Sequence, residues 1–580
     1  MTTSRPAPPR RTPRGEPRPD EQRGQPTGPE AAASAAGAEP VALPSPRGLV
    51  RGLVLPLAEP RRLAREAARL GRETARILRG TDEVAPSAGD KRFADPTWSD
   101  NPAYRRLMQG YLAAGASARR LVDGYEASGA DWRQVEQARF VINAFTSALA
   151  PTNTLVGNPA ALKRAFETGG RSVVRGLGHM IDDLRHNGGL PTQVDRTAFT
   201  VGTDLAVTPG AVVHRDDVME VIQYSPATPA VRQRPLVIVP PPIGRYYFLD
   251  LRPGRSFVEY AVGQGLQVFL ISWRNPRKEQ ADWDLDTYAG SVVDAIDVAR
   301  DVTGSPDVNI LGFCAGGILA TTVLNHLAAT GDDRVHSAGY AVTLLDFHKR
   351  APIGAFSAPR LLDVARRNSG RAGVITARQM GAVFTWMRPD DLIFNYVVNQ
   401  WLMGEDPPAF DILAWNADGT NLPARLHEQF LDIFAGNSLI RAGAMRVLGT
   451  PMHLSRITVP TFVTGALTDH LTHWEGCYRS TQLLSGPTTF VLSNAGHIQS
   501  LVNPPGNPRA SYWTGPEPGP DAHAWREAAE RHTGSWWEAW SEWVLQRSGD
   551  EVPAPPSAGS PDHPEIEPAP GAFVRDRVTA

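Results

Sequence analysis

The chain is poor in cysteine, in long apolar runs and in any excess of one charge, and each shortage excludes a class of protein. Two cysteines in 580 residues cannot build a disulfide framework or a zinc site of four thiolates. They imply a reducing compartment, in which each thiol is either buried and inert or reactive. No stretch approaches the roughly 18 apolar residues that a membrane-spanning helix needs, so no transmembrane segment is expected. Lys and Arg number 59 against 61 Asp and Glu, a formal net charge of −2. That balance gives no whole-chain attraction to nucleic acid, and none is expected as a partner. The N-terminus, MTTSRPAPPRRTPRGEPRPDEQRG, carries arginines but no apolar segment, so it does not read as a secretory signal. A cytoplasmic setting is expected.

What the chain has in quantity is proline, 51 residues of it, concentrated at the two ends. From Met1 to about Pro46 there is almost no large apolar residue, and such a segment cannot offset its ordering entropy. The tail 549–580, with EVPAPPSAGSPDHPEIEPAP, reads as disordered in the same way. Between Pro60 and Gly80, Leu63, Ala67, Leu70, Thr74 and Ile77 form one stripe among arginines, a basic amphipathic helix. Such a helix either adheres to an anionic or amphiphilic surface or packs on the main body. Residues 1–90 are therefore read as a disordered extension with one helix near 60–80. Residues 91–200 read as a helical domain: Tyr104, Leu107, Met108, Tyr111 and Leu112 fall at helical spacing, as do Val135, Ala138, Phe140, Val141 and Phe145.

From about residue 201 to 548 the pattern changes to short apolar strands alternating with helices. The expected strands are VMEVIQY from Val218, PLVIVP from Pro235, QVFLISW from Gln267, VNILGFC from Val308, YAVTLLDF from Tyr340, VPTFVTGAL from Val459 and TTFVLS from Thr488. Near-continuous apolar strands separated by helices predict an α/β fold with a doubly wound, mostly parallel sheet covered on both faces. The gap between Phe347 and Val459 is too long for a crossover, so a helical cap is expected at about 350–450.

The strand VNILGF runs directly into Cys314 and then into a helix that opens with small residues. Gly312-Phe313-Cys314-Ala315-Gly316 thus has the form of a nucleophile elbow with sulfur in place of oxygen. The nucleophile occupies a strained turn, and Gly312 and Gly316 leave room for strand and helix to approach. Its partners should follow in the order acid, then histidine, on loops after later strands. Asp469 after VPTFVTGAL and His497 after TTFVLS fit that order, His497 as general base and Asp469 as its orienting acid. His470 is a rival base and Asp346 a rival acid. Cys477 reads as a packed, inert thiol. The oxyanion hole needs two backbone donors. One is the amide of Ala315; Pro240, Pro241 and Pro242 have no N–H, so the other is assigned to Ile243.

Sulfur rather than oxygen at the elbow bears on the reaction. Moving an acyl group from a thioester to a thiol is nearly thermoneutral, so the acyl-enzyme stays activated for attack by a hydroxyl. Cysteine here points to acyl transfer from a thioester such as a CoA ester, and an apolar cap would keep water from the intermediate.

The residues also resemble a known family. GFCAGG around Cys314, RPLVIVPPPIGRYYFLDLRPGRSFVEY from Arg234, VFLISWRNP from Val268, MRPDDLIFNYVVNQWLMGEDPPAFDILAWNADGTNLP from Met387, TDHLTHW and NAGHIQSLVNPPGNP are similar to the polyhydroxyalkanoate synthases of the alpha/beta-hydrolase superfamily. NPAYRRLMQGYL and ALAPTNTLVGNPAALKRAFETGGRSVVRGL resemble that family's N-terminal domain. The resemblance spans Asn101 to Arg547 and is to the stand-alone, one-subunit kind. It implies polymerisation of (R)-3-hydroxyacyl-CoA into polyester with release of CoA, the growing chain being held on Cys314 and activated by His497. Asp469 is then either an orienter of His497 or an activator of the substrate 3-hydroxyl. The resemblance also implies a homodimer on the surface of a polymer granule, with the helix near 60–80 and the cap as candidate contacts. No metal and no cofactor is expected, CoA being the leaving group. Short- and medium-chain monomers remain open. One departure is His473, where the family usually has proline.

Two other readings compete: a thioesterase or polyester hydrolase on the same fold, and an inactive granule-bound homologue, against which an intact Cys, Asp and His set argues. Trp536, Trp537, Trp540 and Trp543 lie on one helix, either packed on the sheet or in contact with polymer or lid.

Overall fold

The structure is a computed structural model that describes residues 59–347 and 352–576. The proline-rich segment 1–58, expected to be disordered, lies outside the described residues. An eleven-stranded sheet organises the rest. In chain order its strands are β1 (Gly210–Arg215), β2 (Met219–Tyr224), β3 (Leu236–Val239), β4 (Val268–Trp273), β5 (Val308–Phe313) and β6 (Val335–Ala341). They continue with β7 (Thr461–Ala466), β8 (Thr488–Ser493), β9 (Ser511–Thr514), β10 (Glu530–Thr533) and β11 (Glu567–Pro568). The spatial order is β10-β9-β8-β7-β6-β5-β3-β4-β2-β1-β11.

The run β8-β7-β6-β5-β3-β4 is parallel throughout, while both flanks are antiparallel. The inner strands are buried along their whole length, as their continuous apolar sequences require. The helix Ala315–Thr330 follows β5 and is buried on nearly every face, so it too lies inside the body. This is the doubly wound sheet that the sequence predicts.

One expected strand is displaced. YAVTLLDF was read as a strand from Tyr340, but β6 is the preceding VHSAGYA and ends at Ala341. Val342 has φ 46°, which turns the chain out of the sheet, so the apolar residues after it pack in a loop.

The tail is a second correction. Residues 549–576 are ordered: Glu551–Pro553 pairs with Ala230–Arg232, and β11 pairs with β1 at the sheet edge. Phe573 and Val574 are buried. Proline content hid this, because edge pairing needs only a few backbone groups and tolerates proline where no ladder N–H is required. The catalytic body therefore extends past residue 548.

The segment between β6 and β7 carries the helices Pro359–Ala372, Ala377–Met387, Asp411–Asn416 and Ala424–Gly436, and closes over the loop after β3. Ahead of the sheet, the helices Pro102–Ala127, Trp132–Ala148, Pro159–Glu167 and Arg171–His186 are started by side-chain caps at Asn101, Asp131 and Asn158, with Gly170 before the last. They join the cap through Asp183, which accepts a 2.7 Å hydrogen bond from Trp401 Nε1.

The basic helix is Pro60–Arg79; it docks on the helix Pro102–Ala127, yet of its apolar stripe Leu63, Ala67 and Thr74 stay exposed. Ile77 is buried, and Glu66 and Glu73 pair with Arg120 of the helix Pro102–Ala127. The tryptophan helix, Trp536–Leu545, packs against the sheet: Trp536, Trp537 and Trp540 are each 1% exposed and Phe257 lies 4.8 Å from Trp540.

Candidate active site

Register places the site. Val239 at the end of β3 pairs with Gly312 of β5, so the loop after β3 lies beside the turn that begins two residues later. That turn is strained: Cys314 has φ 49° and ψ −120°, and it immediately precedes the helix Ala315–Thr330. The strain is held by backbone contacts, with the Cys314 amide donating to Ala341 O at 2.9 Å and Thr343 Oγ1 donating to Cys314 O at 3.0 Å. A Cβ on Gly312 would sit 2.5 Å from Gly317 Cα, and one on Gly316 would enter the Val239 carbonyl. Both glycines are therefore required by close approach. The first-turn amides of the helix direct positive potential toward the Cys314 side chain.

β7 and β8 deliver the other two groups. Their ends lie side by side in parallel register, Ala466 opposite Ser493, so the loops that follow meet. Asp469 Oδ2 lies 2.6 Å from His497 Nδ1, and both side chains are almost fully buried. With Nδ1 engaged by Asp469, Nε2 is the ring nitrogen left to serve the Cys314 sulfur, which lies close enough to act electrostatically on the ring. Cys314, Asp469 and His497 are thus brought together as the sequence suggests. Trp536 supports the assembly, because its Nε1 donates to Ser500 O in the short helix His497–Leu501.

The electrostatics follow from burial and pairing. Burial opposes charging the His497 ring, but the Asp469 carboxylate and the Cys314 sulfur outweigh it and raise the imidazole to about 10. For Asp469, burial pushes the carboxyl upward, yet the His497 charge and hydrogen bonds from His497 and Thr472 hold it below the ordinary range.

Thr472 was not singled out from the sequence. Its hydroxyl donates to Asp469 Oδ2 at 2.6 Å and lies 3.1 Å from His497 Nδ1, while Asp469 Oδ1 accepts the amides of Leu471 and Thr472. The signal was local: an aspartate followed at the second and third positions by residues able to close an Asx turn.

The rivals separate cleanly. Asp346 sits in the loop after β6, 3.0 Å from Arg479, and accepts a bond from Asn437. His470 has no hydrogen-bond partner on either ring nitrogen among the described residues. Burial and then the nearby Arg388 charge lower it to about 4, so it is neutral. Cys477 is fully buried, and that burial pushes its thiol well above the ordinary value. His473, at the position of the family's proline, turns Nδ1 to Asp469 O at 2.9 Å and so braces the acid's own turn.

For the oxyanion, Ala315 opens its helix, where no intrahelical acceptor exists for its amide. On the β3 loop the Gly244 amide donates to Thr420 Oγ1 at 2.8 Å, whereas the Ile243 amide has no acceptor among the described residues.

Comparison with known proteins identifies the family. Residues 89–261 match the family model described as "Poly-beta-hydroxybutyrate polymerase (PhaC) N-terminus", and residues 252–504 match "alpha/beta hydrolase fold". The chain is 43% identical over 535 residues to "Poly(3-hydroxyalkanoate) polymerase 1" of Ectopseudomonas oleovorans, covering 92% of this chain and 94% of that one. It is 44% identical to polymerase 2 of the same organism, covering 90% of this chain and 92% of the relative. Identity to "Poly(3-hydroxyalkanoate) polymerase subunit PhaC" of Cupriavidus necator is 38%, over 87% of this chain and 86% of the relative. With that identity along nearly the whole length, and an elbow cysteine set on the expected fold, the chain belongs to the poly(3-hydroxyalkanoate) polymerase family.

Proposed function

We propose that this protein polymerises (R)-3-hydroxyacyl-CoA into polyhydroxyalkanoate, with Cys314 as nucleophile, His497 as proton carrier and Asp469 as the acid that orients it. The observation that carries the reading is a cysteine, rather than a serine, on the strained elbow beside a buried His497–Asp469 pair. The Cys314 proton passes to His497, and the sulfur attacks the thioester carbonyl. The amides of Ala315 and Ile243 receive the developing oxyanion. The carbon–sulfur bond to CoA then breaks, and CoA leaves with the proton from His497. In the next step His497 takes the proton of the 3-hydroxyl of an incoming 3-hydroxyacyl-CoA, whose oxygen attacks the Cys314 thioester. The carbon–sulfur bond breaks, the Cys314 sulfur leaves and recovers the proton from His497, and the chain, one ester longer and now on CoA, returns to Cys314 by the first step. CoA is the leaving group, and the scheme uses no cofactor.

The contacts of Asp469 favour the orienting role. Both its oxygens are occupied by His497, Thr472 and the Leu471 amide, and the residue is 3% exposed, so no face is open to a substrate hydroxyl.

We also infer a homodimer working on a polyester surface. The helix Arg171–His186 supports a surface partner, because it shows Val174, Leu177, Ile181 and Leu184 to solvent, 72%, 49%, 39% and 59% exposed. Among the described residues no helix is long and apolar enough to cross a membrane.

The test offers purified protein 3-hydroxybutyryl-CoA and 3-hydroxyoctanoyl-CoA separately and follows CoA release together with insoluble polymer. CoA release should vanish in Cys314→Ala. Free acid in proportion to CoA, without polymer, would instead establish a hydrolase.

A further inference from the structure

The oxyanion loop is fastened from the tail of the chain, and the fastening passes through a buried arginine. Arg245 follows Ile243 and Gly244 and is 3% exposed. A buried guanidinium must find acceptors, because its desolvation is costly. Those acceptors are backbone carbonyls of the tail: Nη1 donates to Phe573 O at 2.7 Å and Nη2 to Asp576 O at 2.5 Å. Asp418 of the cap adds a carboxylate at 3.6 Å.

The tail is itself anchored on β2 and the loop after β4. Glu220, fully buried on β2, accepts the amides of Ala572 and Phe573 at 3.1 and 3.0 Å. Arg274 lies over the Phe573 ring at 4.2 Å, and Arg277 meets Asp576 Oδ1 at 2.9 Å. Gly571 has φ +80°, and a Cβ there would enter the Glu220 carboxylate. The same loop is held from the opposite side by the cap, where Trp415 Nε1 donates to Arg245 O at 2.7 Å.

We propose that residues 570–576 act as a positioning strap for the oxyanion loop, gripping it through Arg245 so that the Ile243 amide stays aimed beside Cys314. The strap touches neither substrate nor the reacting atoms. This inference rests on the assignment of Ile243 as the second oxyanion donor. Its physical basis is that three prolines and a positive-φ glycine make a loop with few backbone donors of its own, and misplacing one oxyanion donor is costly to the transition state.

The experiment uses the full-length protein with Arg245→Gln, which removes the bidentate grip, and Gly571→Ala, which dislodges the tail far from the site. Two rates are compared: single-turnover CoA release from 3-hydroxybutyryl-CoA, and alkylation of Cys314 by iodoacetamide. Acylation passes through an oxyanion, whereas alkylation does not. The expected result is a fall of about tenfold or more in CoA release in both variants, with alkylation held near the parent rate at a temperature where both variants remain folded. Arg245→Lys, keeping one contact, should recover part of the rate. CoA release at the parent rate would overturn the strap. So would a parallel fall in both rates, or loss of the fold in both variants, since the segment would then serve only stability. If the parent protein yields acid rather than polymer through a Cys314-dependent burst, the polymerase reading fails while this comparison stands, because hydrolysis uses the same oxyanion.

Discussion

Asp469 and His497 stand 28 residues apart in sequence and 2.6 Å apart in space, joined by one hydrogen bond between Oδ2 and Nδ1. The bond sets the tautomer of the ring and turns Nε2 to the sulfur. Asp469→Asn keeps the shape but presents an amide, so the ring loses both its charge partner and its orientation. The turnover number is expected to fall by about 10³–10⁴ with little change in KM. Steady-state CoA release measures this, and a fall in KM alone would contradict the orienting role.

The same pair predicts a stability window. His497 is raised above its ordinary value of 6.5, so its contribution is complete below that pH and is lost as pH rises through about 10. Asp469 is lowered, so its contribution is present above its ordinary value of 3.8 and is lost as pH falls through its lower folded value. The melting temperature of the native chain should therefore exceed that of Asp469→Asn at neutral pH, with the gap closing toward about pH 10–11. Thermal melts across pH provide the check, and a gap that persists at the alkaline end would refute it.

The two thiols should behave oppositely. Cys314 is partly accessible at the elbow, while Cys477 is fully buried. Thiol titration of the native protein should count one fast-reacting group, which disappears in Cys314→Ala, and unfolding should expose the second. Cys477→Ala is expected to keep catalysis and lose about 1 kcal/mol of stability.

Gly316→Ala tests the elbow's packing. The added methyl has no room beside the Val239 and Pro240 carbonyls, and backbone cannot yield as a flexible side chain would. A destabilisation of about 1–3 kcal/mol is expected, with a loss of acylation larger than stability alone explains. Denaturant midpoints and single-turnover rates on the same sample separate the two.

The apolar stripe on the helix Arg171–His186 carries a prediction of its own. Leu177→Glu with Leu184→Glu should weaken sedimentation of the protein with polyester particles, while soluble CoA release in the first turnovers stays at the parent rate. Each leucine is exposed, so a folding defect is not expected. Unchanged co-sedimentation would remove this face as the polymer contact.

Where local pattern and tertiary context agree, the sequence is legible. β5, the elbow and the following helix could be read from VNILGFCAGG, because a buried parallel strand is apolar along its length and only small residues fit the turn. β8 was read to the residue, and the loops of Asp469 and His497 came with it. β6 was misplaced because TLLDF is as apolar as a strand, and only the turn at Val342 shows that it leaves the sheet. On the antiparallel flanks β2 was read, but β1, β9, β10 and β11 were missed, since short, half-polar segments such as SYWT carry weak patterns.

By itself the sequence determined the elbow around Cys314 and named Asp469 and His497 as its candidate partners, because a nucleophile elbow needs its glycines and its apolar strand wherever it occurs. It also determined the parallel core, through continuous burial. Only the tertiary structure decided which acid serves His497, since Asp346 and Asp469 both end strand-like segments and the choice depends on which loop the sheet order brings to the ring. Thr472, the docked basic helix and the ordered tail were decided there too. Each depends on partners more than 20 residues away, and a hydrogen bond from Arg245 to a carbonyl 328 residues later leaves no trace in local composition.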